Sequence, residues 1–237
     1  AATPAPRAWA QDAVSQDQVM TDRIAEADAA LRAGRLEEGV ALIEAHLTDE
    51  PRSAQQLYRN FTGLLYRKAM YAKGVQWSRV GLEAYPRDTE LWNVLGVCLR
   101  RTGELEEALK ALNAGLKIEP RNEGLLQNKG NVLNDLKDGP GAVAIFTQLV
   151  RKAPTNAEMQ RALGRGLRSS EAFEKAEMRF RLATRLNPSL VDAWLDLSAL
   201  VAETQTTDAA VAVLDEALKV NPNPRLMEAK AVAIRRS

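Results

Sequence analysis

The chain has 237 residues, with 32 Lys and Arg against 31 Asp and Glu, for a formal net charge of +1. A balance so close to zero gives no support to a whole-molecule pull on nucleic acid or on an anionic membrane surface, and no apolar run approaches the length of a membrane span. A single cysteine, Cys98, and a single histidine, His46, rule out an internal disulfide and a paired-histidine metal motif.

Residues 1–14 begin AATPAPRAWA, rich in Ala and Pro and without helical period, and are expected to form a flexible tail. Ala1 rather than Met stands first, which fits either a mature end left by removal of an export signal or a cut chain, so cytoplasmic and exported locations both stay open. From residue 15 the pattern changes to paired amphipathic helices. Met20, Ile24, Ala27 and Leu31 share one helical face, Arg32-Ala33-Gly34 makes a turn, and Leu36, Val40, Ile43 and Leu47 make a second face that Pro51 stops. His46 lies on that second helix with no Cys or His partner nearby, which argues against a metal or catalytic role.

A second unit, 55–88, places Tyr58, Phe61, Leu65, Gly74, Gly81 and Pro86 at comparable positions. The third, 89–122, shows the pattern most cleanly. Trp92, Leu95, Gly96 and Leu99 line one face, Thr102-Gly103 breaks it, and Leu105, Ala108, Leu109, Leu112 and Leu116 line the next before Pro120. Cys98 sits between Val97 and Leu99 and reads as a small semi-buried side chain rather than a reactive thiol. The fourth unit, 123–156, turns at Lys137-Asp138-Gly139-Pro140, where Asp138 can cap a helix and Pro140 suits its first turn. The fifth, 157–190, and sixth, 191–224, are preceded by Thr155-x-x-Glu158 and Ser189-x-x-Asp192, both capping-box patterns. Residues 225–236 supply one more helix, with Met227, Ala231 and Ile234 on the side expected to cover the sixth unit.

These units keep step. Pro86, Pro120, Pro154, Pro188 and Pro222 are each 34 residues apart, while Pro51 lies 35 before Pro86. Gly96, Gly130, Gly164 and Ser198 keep the same interval, as do Ala108, Ala142, Ala176 and Ala210, and then Leu112, Phe146, Phe180 and Leu214. The spacing predicts that the small residues of the leading helix (A) face the alanines of the following helix (B), letting the two backbones approach. No unit can bury either apolar face alone, so each needs its neighbours.

A 34-residue period with W-x2-L-G early, Ala-x3-Phe later and a closing Pro resembles the tetratricopeptide repeat family. The resemblance implies an all-α, right-handed solenoid of about six helix–turn–helix units with a C-terminal capping helix, formed by residues 15–237 as one domain. It further implies that consecutive A helices line a concave face where partner peptides bind, at the second, fifth, sixth, ninth, twelfth and thirteenth places of each unit. Carried over by position, the expected peptide-binding residues are Arg59, Asn60, Tyr66 and Arg67 in the second unit and Asn93, Arg100 and Arg101 in the third. The fourth contributes Gln127, Asn128, Asn131 and Asn134, and the fifth Arg161, Arg165 and Arg168. Arginines can grip carboxylates in a bidentate fork, and Asn and Gln can bond a peptide backbone whatever its sequence. A polar or acidic peptide segment is therefore the expected partner, with Asp192, Asp196 and Glu203 turning the sixth unit acidic. Of the asparagine ladder known in glycosyltransferases of this family, Asn60 and Asn128 fit the sixth place, whereas Val94, Ala162 and Asp196 do not.

No catalytic constellation and no cofactor motif is found. The chain lacks G-x-x-x-x-G-K-[ST], and Gly164-Arg165-Gly166 lies inside a helical pattern rather than after a strand. Paired acids such as Glu37-Glu38 and Glu106-Glu107 start B helices, where the positive helix end favours them. A non-catalytic scaffold is the leading expectation. The alternatives are the recognition domain of a larger transferase and, more weakly, a self-associating structural protein.

Overall fold

The structure, a computed structural model, describes residues 23–235 and holds thirteen helices and no strand among them. The expected flexible tail, with Trp9, and the Met20 position of the first helix lie outside the described residues. The first helix, α1, covers 23–32 within the described residues. Then follow α2 (Leu36–Asp49), α3 (Gln55–Arg67), α4 (Tyr71–Ala84), α5 (Thr89–Thr102), α6 (Leu105–Ile118) and α7 (Glu123–Asp135). The series continues with α8 (Gly139–Lys152), α9 (Ala157–Ser169), α10 (Phe173–Leu186), α11 (Val191–Thr204), α12 (Thr207–Val220) and α13 (Pro224–Ile234). The fold is all-α and repetitive, with odd-numbered helices in the A role and even-numbered ones in the B role.

The period is visible in where helices stop. The B helices α4, α6, α8, α10 and α12 end at Ala84, Ile118, Lys152, Leu186 and Val220, each two residues before its proline. The proline ring disfavours helical geometry in the residue before it, so the helix gives way one residue earlier. The turns from A to B are equally regular. Ala69, Gly103, Lys137 and Glu171 all have positive φ, between 57° and 90°, and stand 34 residues apart. Two residues of each turn close it in the same way. The amides of Met70, Glu104, Asp138 and Ala172 reach back to the carbonyls of Leu65, Leu99, Leu133 and Leu167 at 2.9 Å, the Schellman closure that needs a left-handed residue. Gly103 occupies this position without steric penalty, as Gly34 does at the corresponding turn of the first repeat. Replacing Glu171, exposed on the surface, with Gly is expected to raise stability by about 0.5–1 kcal/mol, the left-handed penalty less glycine's extra unfolded-state entropy. A lowered urea midpoint for this variant would contradict that account.

The helices fall into two compact units that part between Leu91 and Trp92. In the first, Phe61 and Trp77 meet edge to face with centroids 5.8 Å apart, and Tyr58 meets Tyr85 at 6.2 Å. The polar ends of these rings are satisfied: Trp77 Nε1 donates to Glu44 (2.9 Å) and Tyr58 to the Pro51 carbonyl (2.8 Å), as buried aromatics with polar handles require. In the second unit, α7, α9 and α11 each pack on their own B helix and on the one before it, and successive A helices α7, α9, α11 and α13 also touch one another.

At the repeated glycines of the A helices the nearest atoms across the crossing are not those of the alanines that the spacing predicted. A Cβ placed on Gly96 would lie 2.5 Å from Leu112 Cγ, one on Gly130 2.6 Å from Phe146 Cε2, and one on Gly164 2.6 Å from Phe180 Cε1. The glycines make room for the large side chain sixteen residues on, so the close crossing is glycine against ring or leucine. Two capping expectations also fail. Asn156, not Thr155, caps α9 by accepting from Met159 N, and Leu190 precedes α11 at the capping position without a side-chain hydrogen bond, Ser189 turning instead to Asn187. The Asp138 cap is present, accepting from Gly141 N at 3.0 Å with Pro140 in the first turn.

Candidate functional site

The sequence-predicted residues make different contacts in the two compact units. In the first, Arg59 Nε donates to Asp88 Oδ2 at 2.7 Å, and Gln55 Nε2 reaches the same oxygen at 2.6 Å. The other oxygen, Oδ1, accepts from the backbone amides of Glu90 and Leu91, so Asp88 caps α5. Burial pushes the Asp88 carboxyl up, but the bonds from Arg59, Gln55 and Leu91 N outweigh it and hold it below the usual carboxylate range. Arg59 is thereby committed to the fold. Asn60 and Arg67 are exposed, Asn60 accepting from Gln56, and Tyr66 is half-buried against Tyr71.

In the second unit the predicted residues form diagonal pairs, each joining one repeat to the next at a separation of 35. Arg100 Nε donates to Asp135 Oδ2 at 2.5 Å, Arg161 Nε to Asp196 Oδ2 at 2.6 Å, and Arg168 Nη2 to Glu203 at 2.7 Å. Arg165 Nη2 reaches Asp135 Oδ1 from the other side at 3.0 Å, so one carboxylate joins three consecutive repeats. Desolvation raises the Asp135 carboxyl, yet the hydrogen bond and charge of Arg100, followed by those of Arg165, bring it below its ordinary value. Four of the five arginines expected to await a peptide carboxylate in this pattern (Arg100, Arg161, Arg165 and Arg168) already hold one from the chain itself. Arg101 is exposed at the end of α5.

Between these pairs lies an uncharged patch. Asn128 Nδ2 donates to Asn93 Oδ1 at 2.7 Å, again at a separation of 35, with Gln127 and Asn131 half-buried on the same helix as Asn128. Asn134 does not belong to it. Its side chain is 1% exposed, and its Nδ2 donates to the Ala162 carbonyl at 3.0 Å, so it ties α7 to α9 instead of facing a partner.

The pairing of these arginines with Asp88 and Asp135 was not read from the sequence. A usable signal existed: Asp88, Asn122 and Asn156 stand 34 apart, two residues after each proline, and all three cap the next A helix. For Asp135 the signal was an Arg followed 35 residues later by an acid, repeated at 161/196 and 168/203.

Cys98 is fully buried in α5, and desolvation pushes its thiol up to about 11, which keeps it protonated and inert. His46 shares a hydrogen-bond distance of 3.1 Å with Ser53 Oγ. Among the described residues no three His, Cys, Asp or Glu side chains are arranged to hold a metal ion, and no helix is long and apolar enough to cross a membrane.

A sequence profile of the tetratricopeptide repeat matches residues 89–122. Anaphase-promoting complex subunit 3 of Dictyostelium discoideum is 21% identical over 94 residues, which are 40% of this chain and only 10% of that protein. Among solved structures, a tetratricopeptide repeat protein from Parabacteroides merdae aligns at TM-score 0.76 and 14% identity over 92% of both chains. MamA from Desulfovibrio magneticus aligns at 0.62 and 20% identity, over 70% of this chain and 94% of that one. YrrB, a protein of the same repeat class described as having an unusual peptide-binding site, aligns at 0.59 and 19% identity, over 80% of this chain and 97% of its own. At these identities the likeness concerns the fold.

Proposed function

The chain is a tetratricopeptide-repeat protein, and from that premise we propose that it is a non-catalytic interaction scaffold. It holds a polar peptide segment of a partner across the A-helix face of its third to fifth repeats. The observation that carries this reading is the amide patch of Asn93, Gln127, Asn128 and Asn131 set among ion pairs that are already neutralised. Each amide side chain offers both a donor and an acceptor, which suits an extended peptide backbone independently of its sequence. The paired arginines hold α5, α7, α9 and α11 at fixed spacing, so the amides are pre-positioned and less ordering entropy is lost on binding. A strongly acidic segment has less to gain here, because it must displace Asp135, Asp196 or Glu203 to reach an arginine. A peptide-binding site is described for YrrB, a structural neighbour of this chain, and its existence there supports a peptide role here.

The test is photo-crosslinking from a benzophenone side chain at position 131 in the cells that make the protein, followed by peptide mapping. The expected result is a crosslink to one continuous segment of a partner, strongly reduced when Asn93 and Asn128 are both replaced by Ala. That double variant should melt close to the parent, since each residue is only half-buried. Crosslinks that survive the double replacement, or that arise only from outer positions such as 113 on α6, would remove the proposal.

A further inference from the structure

The capping helix α13 buries Leu226 and packs Ala229 and Ala233 on the core of α10, α11 and α12. The stripe expected to cover the sixth repeat is turned outward instead: Met227 is 51% exposed, Ile234 is 52% exposed, and Ala231 between them is exposed. Its surface charges are mixed, Glu228 with Arg225 and Arg235, and select no occupant. A different case is Met178 on α10, the most exposed large apolar side chain among the described residues at 66%.

Met178 stands over a furrow. Successive A helices touch, but α8 and α10 form no such packed pair. Between them lies a cavity of about 210 Å³, with Thr147 of α8 on one wall, Lys175, Met178 and Arg179 of α10 on the other, and Leu163 and Leu167 of α9 at its base. A second depression of about 240 Å³ shares Met178 and Arg179 and adds Arg181, Leu182 and Arg185, so the furrow continues along α10. The repeat itself does not call for these side chains. At the places of Lys175, Met178 and Arg179, the fourth repeat has Gly141, Ala144 and Ile145, and the sixth has Ala209, Ala212 and Val213.

Lys175, Arg179, Arg181 and Arg185 fall within about three turns of α10. Arg181 holds Glu177 at 2.8 Å, while Arg179 Nη1 donates to the Gln160 amide oxygen at 3.1 Å rather than to a carboxylate. Lys175 and Arg185 are exposed, and their side chains have no hydrogen-bond or ion-pair partner among the described residues. The arginines predicted to bind peptide are in the opposite state: Arg100, Arg161, Arg165 and Arg168 each hold a carboxylate of the chain. An acidic segment therefore finds its available cations on α10.

We infer that this furrow is a docking site for an acidic segment of a partner protein. One large apolar side chain of the segment passes Met178 and seats on Leu163 and Leu167, and carboxylates flanking it meet Lys175, Arg179 and Arg185. Glu174, exposed one turn before Met178, directs the denser run of acids toward Arg185. Nucleic acid is a poorer match, because no aromatic side chain lines the furrow to stack a base. A bilayer is poorer still, because the apolar base lies in a cleft between helices instead of on an open helix face. Residues 1–22 of the chain itself offer only the scattered acids Asp12, Asp17 and Asp22 together with Arg7, too sparse for four close cations.

The probe is a synthetic end-capped peptide, DEDELDEDE, carrying a fluorophore at one end and titrated with the full chain while its anisotropy is followed. Saturable binding is expected, weakening as salt rises. Met178→Glu, and separately Lys175→Glu with Arg185→Glu, should each reduce the affinity at least ~10-fold. Replacing the peptide's leucine with serine should do the same, since burial of one large apolar side chain is worth about that factor. The three substituted positions are exposed, so these variants should melt with the parent, and circular dichroism checks this. Asn93→Ala with Asn128→Ala should leave the affinity unchanged, which separates the furrow from the amide patch. Absence of saturable binding, or binding lost in that asparagine variant, overturns the proposal. So does binding indifferent to Met178→Glu or to the peptide's leucine, which would mean attraction for any polyanion. Binding to this chain that is missing in protein purified from the cells that make it would assign the furrow to a segment of the same polypeptide. Concentration-dependent sedimentation that Met178→Glu abolishes would assign it to a second copy, and either result overturns the partner.

Discussion

Phe146→Ala is expected to cost about 3–5 kcal/mol, the range for emptying a fully buried aromatic site. Phe146 is 0% exposed and its ring lies directly on the Gly130 backbone, where no side chain can collapse into the space left. In a chain of this size each kcal/mol moves the thermal midpoint by about 2–4 °C, so a shift on the order of 10 °C is expected. Repeat arrays unfold through neighbouring units, and hydrogen exchange should therefore rise first in α7 and α8. The crossing itself is tested by a cycle. Gly130→Ser alone forces its Cβ to 2.6 Å from Phe146 Cε2 and should cost roughly 1–3 kcal/mol through overpacking. Combined with Phe146→Leu it recreates the Ser198 and Leu214 pair of the sixth repeat, both buried at 7% and 2% exposure. The double variant should then be more stable than Gly130→Ser alone, with coupling of about 1 kcal/mol. Strict additivity would mean that the glycine and the ring do not meet as described.

The fold was legible in the sequence because its determinants are local. Proline stops, A-to-B turns and apolar stripes each depend on residues within one helix or one loop, and their 34-residue recurrence averages out departures in a single unit. What periodicity cannot give is which neighbour a face meets. It put Gly96, Gly130 and Ala108 on the correct faces but paired glycine with alanine, when Leu112 and Phe146 lie over the glycines. The same limit explains the arginines. Their inward positions followed from the register, but their occupancy by Asp135, Asp196 and Glu203 depends on the one-residue stagger between adjacent A helices, which places partners at 35 rather than 34. Asn134 was counted as inward on the same register, although it lies at the seam with α9 and is buried there. In α13 the stripe was found and its outward direction was not, since a single helix with two apolar sides does not say which one the preceding repeat takes.

Removing the Asp135 carboxylate should be the most damaging polar change on the A-helix face. Asp135→Ala leaves Arg100 and Arg165, 23% and 27% exposed, without the anion they share. Breaking a fully buried pair costs about 3–5 kcal/mol, and partial access of water to these guanidinium groups reduces that to about 1–3 kcal/mol here. A loss below about 0.5 kcal/mol would place the contact with ordinary surface ion pairs, which contribute little. The pH dependence has a definite sign. Because the folded Asp135 carboxyl sits below its ordinary value, the unfolded chain takes up this proton first as the solution is acidified. Its contribution is fully present above the unfolded value of about 3.9 and disappears as pH falls through the lower folded value. Asp135→Asn keeps the shape but cannot titrate, so parent and variant midpoints should be furthest apart at neutral pH and converge on acidification. Asp88 is lowered in the same direction through Arg59, so the Asp135→Asn variant keeps a residual acid-sensitive step of its own. Parallel curves from pH 7 to 2 would mean that the two arginines do not favour the ionised carboxylate, and the brace across three repeats would then contribute geometry without charge.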